Sequence, residues 1–238
     1  MKYRLIFVVF ALSCSGIQAQ QIILDKNVDE QYNATHGPNM RHYSHFYMGG
    51  GFVMPFDEKS GAKTDFVRSW QYSFGYRYKL KLLSFYAVGL DAGLRYFRYH
   101  IEDEKLIYDP SKPLTMASIV DKFSVGISSL GLEAYNRINI GSRGNTLGQY
   151  IDIGFRGEWN YSTREIIKQK LGSTALAERM RTVNRGLKYI ESFSTFVTAG
   201  IGYNKISLFG YYCLSDLFKN KYGLVELPSL IIGLQIKI

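Results

Sequence analysis

Four carboxylates and four guanidinium groups are the side chains best placed to do chemistry together: Asp91, Glu133, Asp152 and Glu158, with Arg77, Arg95, Arg137 and Arg156. They occur in segments that alternate in polarity, on the same faces of those segments. Equal numbers of acids and arginines suit a confined interior, because a buried charge is tolerable when paired and costly when left alone. These eight residues are therefore expected to form a charge network inside the fold.

Other candidate chemistry is thinner. His36, His42 and His45 lie close in sequence, and neutral imidazoles at such spacing could hold zinc or copper. No cysteine or HExxH context supports a metal, so a plain solvated segment is the competing account. His42 and Ser44 share a face if a strand reaches that far back, as an acyl hydrolase would require, but no third group orients the histidine. Gly49, Gly50 and Gly51 precede no Lys-Ser or Lys-Thr and open no helix, so they read as closely packed strand glycines rather than a phosphate loop. No catalytic residue, metal or cofactor is assigned.

The net charge of +9 is unevenly spread. Between Ser162 and Ile190 the bases are Arg164, Lys168, Lys170, Arg179, Arg181, Arg185 and Lys188, and the acids are Glu165 and Glu178, a balance of 7 − 2 = +5. Such a basic loop would attract anionic lipopolysaccharide headgroups or an acidic partner by simple charge attraction. A solvated basic loop without a ligand is the alternative. A nucleic-acid partner is not expected.

The elements that must carry these residues are strands. Trp70, Tyr72, Phe74, Tyr76 and Tyr78 alternate with Gln71, Ser73, Gly75, Arg77 and Lys79. Tyr86, Val88, Leu90, Ala92, Leu94 and Tyr96 alternate with Ala87, Gly89, Asp91, Gly93 and Arg95. The same two-residue period recurs over Leu130–Ile140, Ile151–Tyr161, Phe193–Tyr203, Ile206–Tyr212 and Ser229–Ile238, and a first strand fits Ser44–Met54. Period-2 alternation is the signature of strands with two unlike faces. These make eight strands of about 9–11 residues, the length that crosses hydrocarbon when tilted.

Connections alternate long and short: 55–67 long, 80–83 short, 102–120 long, 141–147 short, 162–190 long, Asn204-Lys205 minimal and 215–227 long. Outer-membrane barrels have this pattern, with short turns on the periplasmic side and both ends there. The expected fold is all-β, an eight-stranded antiparallel up-and-down transmembrane barrel over residues 44–238. Partly helical spacing of Ile166, Leu171, Met180, Val183 and Leu187 predicts a short surface helix in the 162–190 loop.

A soluble barrel around a ligand would show the same alternation with its apolar face inward. The balanced charges of the second face favour the inverse arrangement, with an interior plugged by ion pairs. Nineteen tyrosines, several near strand ends, fit interfacial girdles.

The first residues add a compartment. Lys2 and Arg4 precede an apolar run from Leu5 to Leu12 and small residues ending at Ala19, the layout of a cleavable export signal over 1–19. Cys14 makes only an imperfect lipoprotein signal, and its removal would leave Cys213 without an intramolecular disulfide partner. Residues 20–43 are polar and read as a flexible periplasmic arm.

The C-terminal third carries Leu208-Phe209-Gly210-Tyr211-Tyr212-Cys213-Leu214-Ser215-Asp216-Leu217-Phe218, then Leu227-Pro228-Ser229 and Gly233-Leu234-Gln235-Ile236-Lys237-Ile238. This stretch resembles the ending of the small PorT-like outer-membrane β-barrel family of Bacteroidetes-type bacteria. The resemblance implies a signal peptide followed by an outer-membrane barrel over roughly 44–238; one branch of that family is associated with type IX protein secretion, so an accessory role there is one expectation. It supplies no catalytic residue. The reading is thus a non-enzymatic barrel with a structural or interaction role. A narrow solute channel, a soluble ligand-binding barrel and a lipid-modifying enzyme stand as alternatives. Oligomeric state is open.

Overall fold

The structure, a computed structural model, describes residues 35–54, 64–101, 118–141, 144–171, 178–224 and 226–238, with the backbone alone at 118–122, 169–171 and 178–179. The expected signal segment, the arm up to residue 34 and the loop segments 55–63, 102–117 and 172–177 lie outside the described residues.

The strands are β1 His42–Met54, β2 Trp70–Lys81, β3 Tyr86–Ile101, β4 Ser118–Ile140, β5 Gln149–Leu171, β6 Glu178–Arg185, β7 Phe193–Tyr203, β8 Ile206–Cys213 and β9 Leu230–Lys237. Eight of them close into an antiparallel barrel in the order β1, β2, β3, β4, β5, β7, β8, β9. The ring is sealed where β1 meets β9, from Tyr47 opposite Lys237 to Met54 opposite Leu230. Closure leaves no unpaired edge in the ring, which an open sheet of this length would present.

The three short connections lie at one end of the barrel, here the turn end. At the tightest, Asn204 has a φ of 50°, a conformation asparagine tolerates better than most residues. Its amide donates to the Gly148 carbonyl at 2.9 Å and its side-chain oxygen accepts from the Gly148 amide at 3.1 Å, tying two turns together. The described part of the arm folds against this end: the Lys79 ammonium donates to the Pro38 carbonyl, and Lys81 reaches the Asn39 side chain at 2.9 Å. β1 begins at His42, two residues before the start read from sequence.

The helix expected within 162–190 is absent among the described residues. β5 runs on to Leu171, and β6 pairs with that extension from Arg164↔Arg185 to Leu171↔Glu178. The apolar residues that suggested a helical period belong to two strands and the turn after them. A β-bulge explains how the extension keeps one face buried. Ser128 faces Ser162 while Ser129 faces Asn160, so Tyr161 is the extra residue and the facing reverses. Before the bulge, Asp152, Arg156 and Glu158 are buried; after it, Thr163 and Glu165 are.

Facing is the decisive property of the barrel. Outside it stand Phe46, Phe74, Leu90, Leu132, Ile153, Val197, Leu208 and Leu234, one from each of the eight strands and all exposed. Such a belt far exceeds the scattered apolar side chains normal at a watered surface. Inside, the half toward the turn end is polar and charged. The half toward the long loops is apolar, built from residues such as Phe97, Val125, Phe196, Phe209 and Ile231, and closed by Ile190, Phe218 and Leu227 from the connections. Glycines make room for the large inward rings. A Cβ on Gly202 would lie 1.9 Å from the Tyr150 ring, and one on Gly89 would lie 2.3 Å from that of Tyr135.

Candidate functional site

The eight charged residues singled out from the sequence all lie inside the barrel and are buried, Arg137 and Arg156 completely. Register explains their assembly. Arg77 on β2 is opposite Asp91 on β3, Asp91 is opposite Glu133 on β4, and Glu133 is opposite Arg156 on β5. Two carboxylates directly across from one another would repel. The arginine at each end of the row clamps both of them: Arg77 lies 2.9 Å from Asp91 and 3.4 Å from Glu133, and Arg156 lies 2.7 Å and 3.6 Å from the same pair.

Further pairs extend the network in both directions. Toward the turn end, Arg137 grips Asp152 with two hydrogen bonds of 2.7 Å, and Arg77 also reaches Asp152 at 3.2 Å. Two-pronged guanidinium–carboxylate contacts are the strong, orientation-fixing kind. Toward the loop end, Glu158 takes Arg156 at 2.6 Å and Arg95 at 2.7 Å, and accepts from the Ser129 hydroxyl at 2.8 Å. The Arg95 contact lacks hydrogen-bond geometry; the guanidinium instead stacks 3.9 Å from the centre of the Tyr211 ring and 5.0 Å from Phe196. An arginine on an aromatic face gains electrostatic attraction from the ring. Arg95 thus joins the charged half of the interior to the apolar half.

Several inward residues belong to this network although the sequence argument did not include them in it. Tyr47 donates to Asp91 at 2.8 Å, and Thr198 donates to Glu133 at 3.0 Å. Tyr135 lies under Arg77, and Tyr150 lies under Arg137 and Lys237. Lys79 and Lys237 sat on the polar faces already visible as alternation. They escaped notice because the selection was made on matched arginine and acid counts.

Each of the four carboxylates contacts at least one guanidinium. These ion pairs join β2, β3, β4 and β5 across the lumen.

The candidate histidines do not converge. The His36 and His42 rings stack at 5.2 Å, and the His42 ring nitrogen bonds the Tyr78 hydroxyl at 2.6 Å, whereas His45 points inward and is buried. His42 and Ser44 both lie on the outward face at the turn end, with His42 engaged by Tyr78.

The basic residues expected in an outer loop are largely on strands. Arg164, Lys168 and Lys170 belong to β5, Arg179, Arg181 and Arg185 to β6, and Lys188 to the turn that follows. Arg164, Lys168, Arg181, Arg185 and Lys188 are exposed. No family model and no curated protein matches the chain.

Proposed function

We propose that this chain is an integral barrel of the outer membrane whose lumen is a plug, and that it acts through its surfaces rather than by catalysis or conduction. One observation carries the reading: apolar side chains face outward around all eight ring strands while paired arginines and carboxylates occupy the half of the inside toward the turn end. In water that arrangement is inverted, and in a bilayer it is what a closed barrel needs. Aromatic rings flank the belt at the loop end, with Trp70, Tyr72 and Tyr96 clustered and Trp159 beside Tyr161. Such rings favour the membrane–water boundary.

Both ends of the barrel domain are then periplasmic, as the short turns are, and the long connections face outward. The C-terminal resemblance described above adds a place beside secretion-complex proteins of the type IX route as part of this proposal. An interior cross-linked by ion pairs leaves an eight-stranded barrel little room for an aqueous path.

Two measurements test the reading. Cell fractionation should find the protein in the outer membrane, migrating faster on gels before heating than after it. Planar bilayers containing it should carry no steady current. Recovery from the soluble periplasmic fraction would refute the membrane placement, and reproducible single-channel steps would refute the plug.

A further inference from the structure

The extension of β5 with β6 is a sheet that leaves the barrel at its loop end, and its two faces differ sharply. One is the inner face: Thr163 and Glu165 are buried, Ile167 packs on the apolar core, and Tyr189 donates to Glu165 at 2.6 Å. On the other face, register places like charges directly opposite: Arg164 across from Arg185, Lys168 across from Arg181, and Lys170 across from Arg179. Lys122 of β4 is registered on the other side of Lys168, so that rung spans three strands with three bases.

Like charges opposite one another on a sheet cost stability. Arg164, Lys168, Arg181 and Arg185 are exposed, and among the described residues no acid forms an ion pair with any of the four. Val183 is exposed among them, opposite Ile166. A ladder of bases interleaved with apolar side chains is suited to a charged interface over hydrocarbon rather than to open water.

The foot of the ladder adds a second feature. Arg164 donates to the Tyr96 hydroxyl and lies 5.0 Å from the centre of that ring. Tyr96 in turn borders an open apolar groove of about 600 Å³ on the outside of the barrel, with Met48, Tyr72, Phe74, Leu94 and Tyr161. A cationic ladder therefore begins where an open apolar groove ends.

We infer that the outward face of the β5–β6 sheet binds the phosphorylated headgroup of a multiply acylated lipid in the surrounding leaflet, with an acyl chain in the groove beneath Tyr96. Bases near an anionic surface add to one another in attracting its phosphates. The inference rests on the membrane placement proposed above, and it names the lipid chemistry that this surface recognises.

The test uses the full-length mature protein folded in neutral maltoside micelles. Its probes are a hexa-acylated disaccharide lipid with two phosphates, the same lipid without phosphates, and inorganic phosphate. Binding of the bisphosphorylated lipid should weaken at least tenfold in R164Q/K168Q/R181Q/R185Q and be largely retained in R164K/R181K/R185K. The dephosphorylated lipid should bind both proteins weakly and alike, and inorganic phosphate should not compete at millimolar concentration, since the groove contributes to affinity. Flotation with phosphatidylcholine vesicles and heat-modifiable migration check insertion separately. If wild type and the glutamine variant both insert and bind the bisphosphorylated lipid equally, the ladder inference is overturned while the membrane placement stands. Failure of the wild type to insert overturns the membrane placement and this inference with it.

Discussion

Arg156→Met tests whether the lumen network holds the barrel closed. The side chain is fully buried and contacts Glu158 at 2.6 Å, Asp91 at 2.7 Å, Glu133 at 3.6 Å and the Gly93 carbonyl at 3.1 Å. Methionine fills much of the volume but removes every one of these contacts, leaving four network carboxylates with three arginines. Breaking a buried pair by removing one partner costs about 3–5 kcal/mol. Asp91 keeps Arg77 and Tyr47, and Glu158 keeps Arg95 and Ser129, which places the expected loss near the lower end, about 3 kcal/mol. Adding Glu133→Gln removes the carboxylate left with only the shared Arg77 guanidinium at 3.4 Å, so the double variant should recover about 1–2 kcal/mol relative to Arg156→Met alone, within the coupling range for contacting residues. The assay is urea unfolding of the vesicle-inserted barrel, read as a shift in midpoint at constant denaturant slope. A loss below about 1 kcal/mol for Arg156→Met, or a double variant less stable than either single one, would refute the idea that these charges act as a balanced set.

Three further outcomes follow from the same geometry. Gly202→Ala pushes a methyl group into the Tyr150 ring and should cost about 1–3 kcal/mol by overpacking, with Tyr150→Leu in the same chain restoring part of it in the same unfolding assay. Leu132→Arg, at a site 69% exposed on the outer face, should cost about 2–4 kcal/mol in vesicles if that site is near the bilayer midplane, whereas a watered surface position would change by less than about 0.5 kcal/mol. Glu226 lies in the connection from β8 to β9 and accepts the Leu217 and Phe218 amides at 2.9 and 3.1 Å, while desolvation raises its carboxyl above the ordinary range despite those bonds. A carboxyl raised in the folded state contributes stability below its unfolded value and loses it as pH rises through the folded one. Protection of the Leu217 and Phe218 amides, corrected for intrinsic exchange, should fall over that window in the native protein and stay flat in Glu226→Gln.

Much of the barrel was legible because its strands alternate in polarity over most of their length. Leu90, Leu132 and Ile153 needed only a period of two to be placed outside, and Asp91, Glu133 and Asp152 only the opposite parity to be placed inside. Pairing was not legible, since the partners of Arg77 depend on register across β2, β3, β4 and β5, which parity leaves undetermined. The apolar half of the lumen also escaped, because Phe97, Tyr99 and Ile101 continue the Asp91–Arg95 face with a change of chemistry. The β5–β6 sheet was misread as helix for a related reason. The bulge at Tyr161 breaks the two-residue period at the point where the extension begins, and the remaining apolar residues mimic a helical spacing. Its like-charge rungs became visible only with the register of Lys168 against Arg181.

The account stands on which side of the wall meets hydrocarbon, and the chain carries its own reporters there. Its two tryptophans, Trp70 and Trp159, are both on the outward face, the second 50% exposed. Reconstitution into vesicles of lipids brominated along their acyl chains should quench most of their fluorescence, with bromines near the headgroup end of the chains more effective than those near the chain ends. Emission unaffected by brominated lipid, with quenching by aqueous iodide instead, would contradict the account.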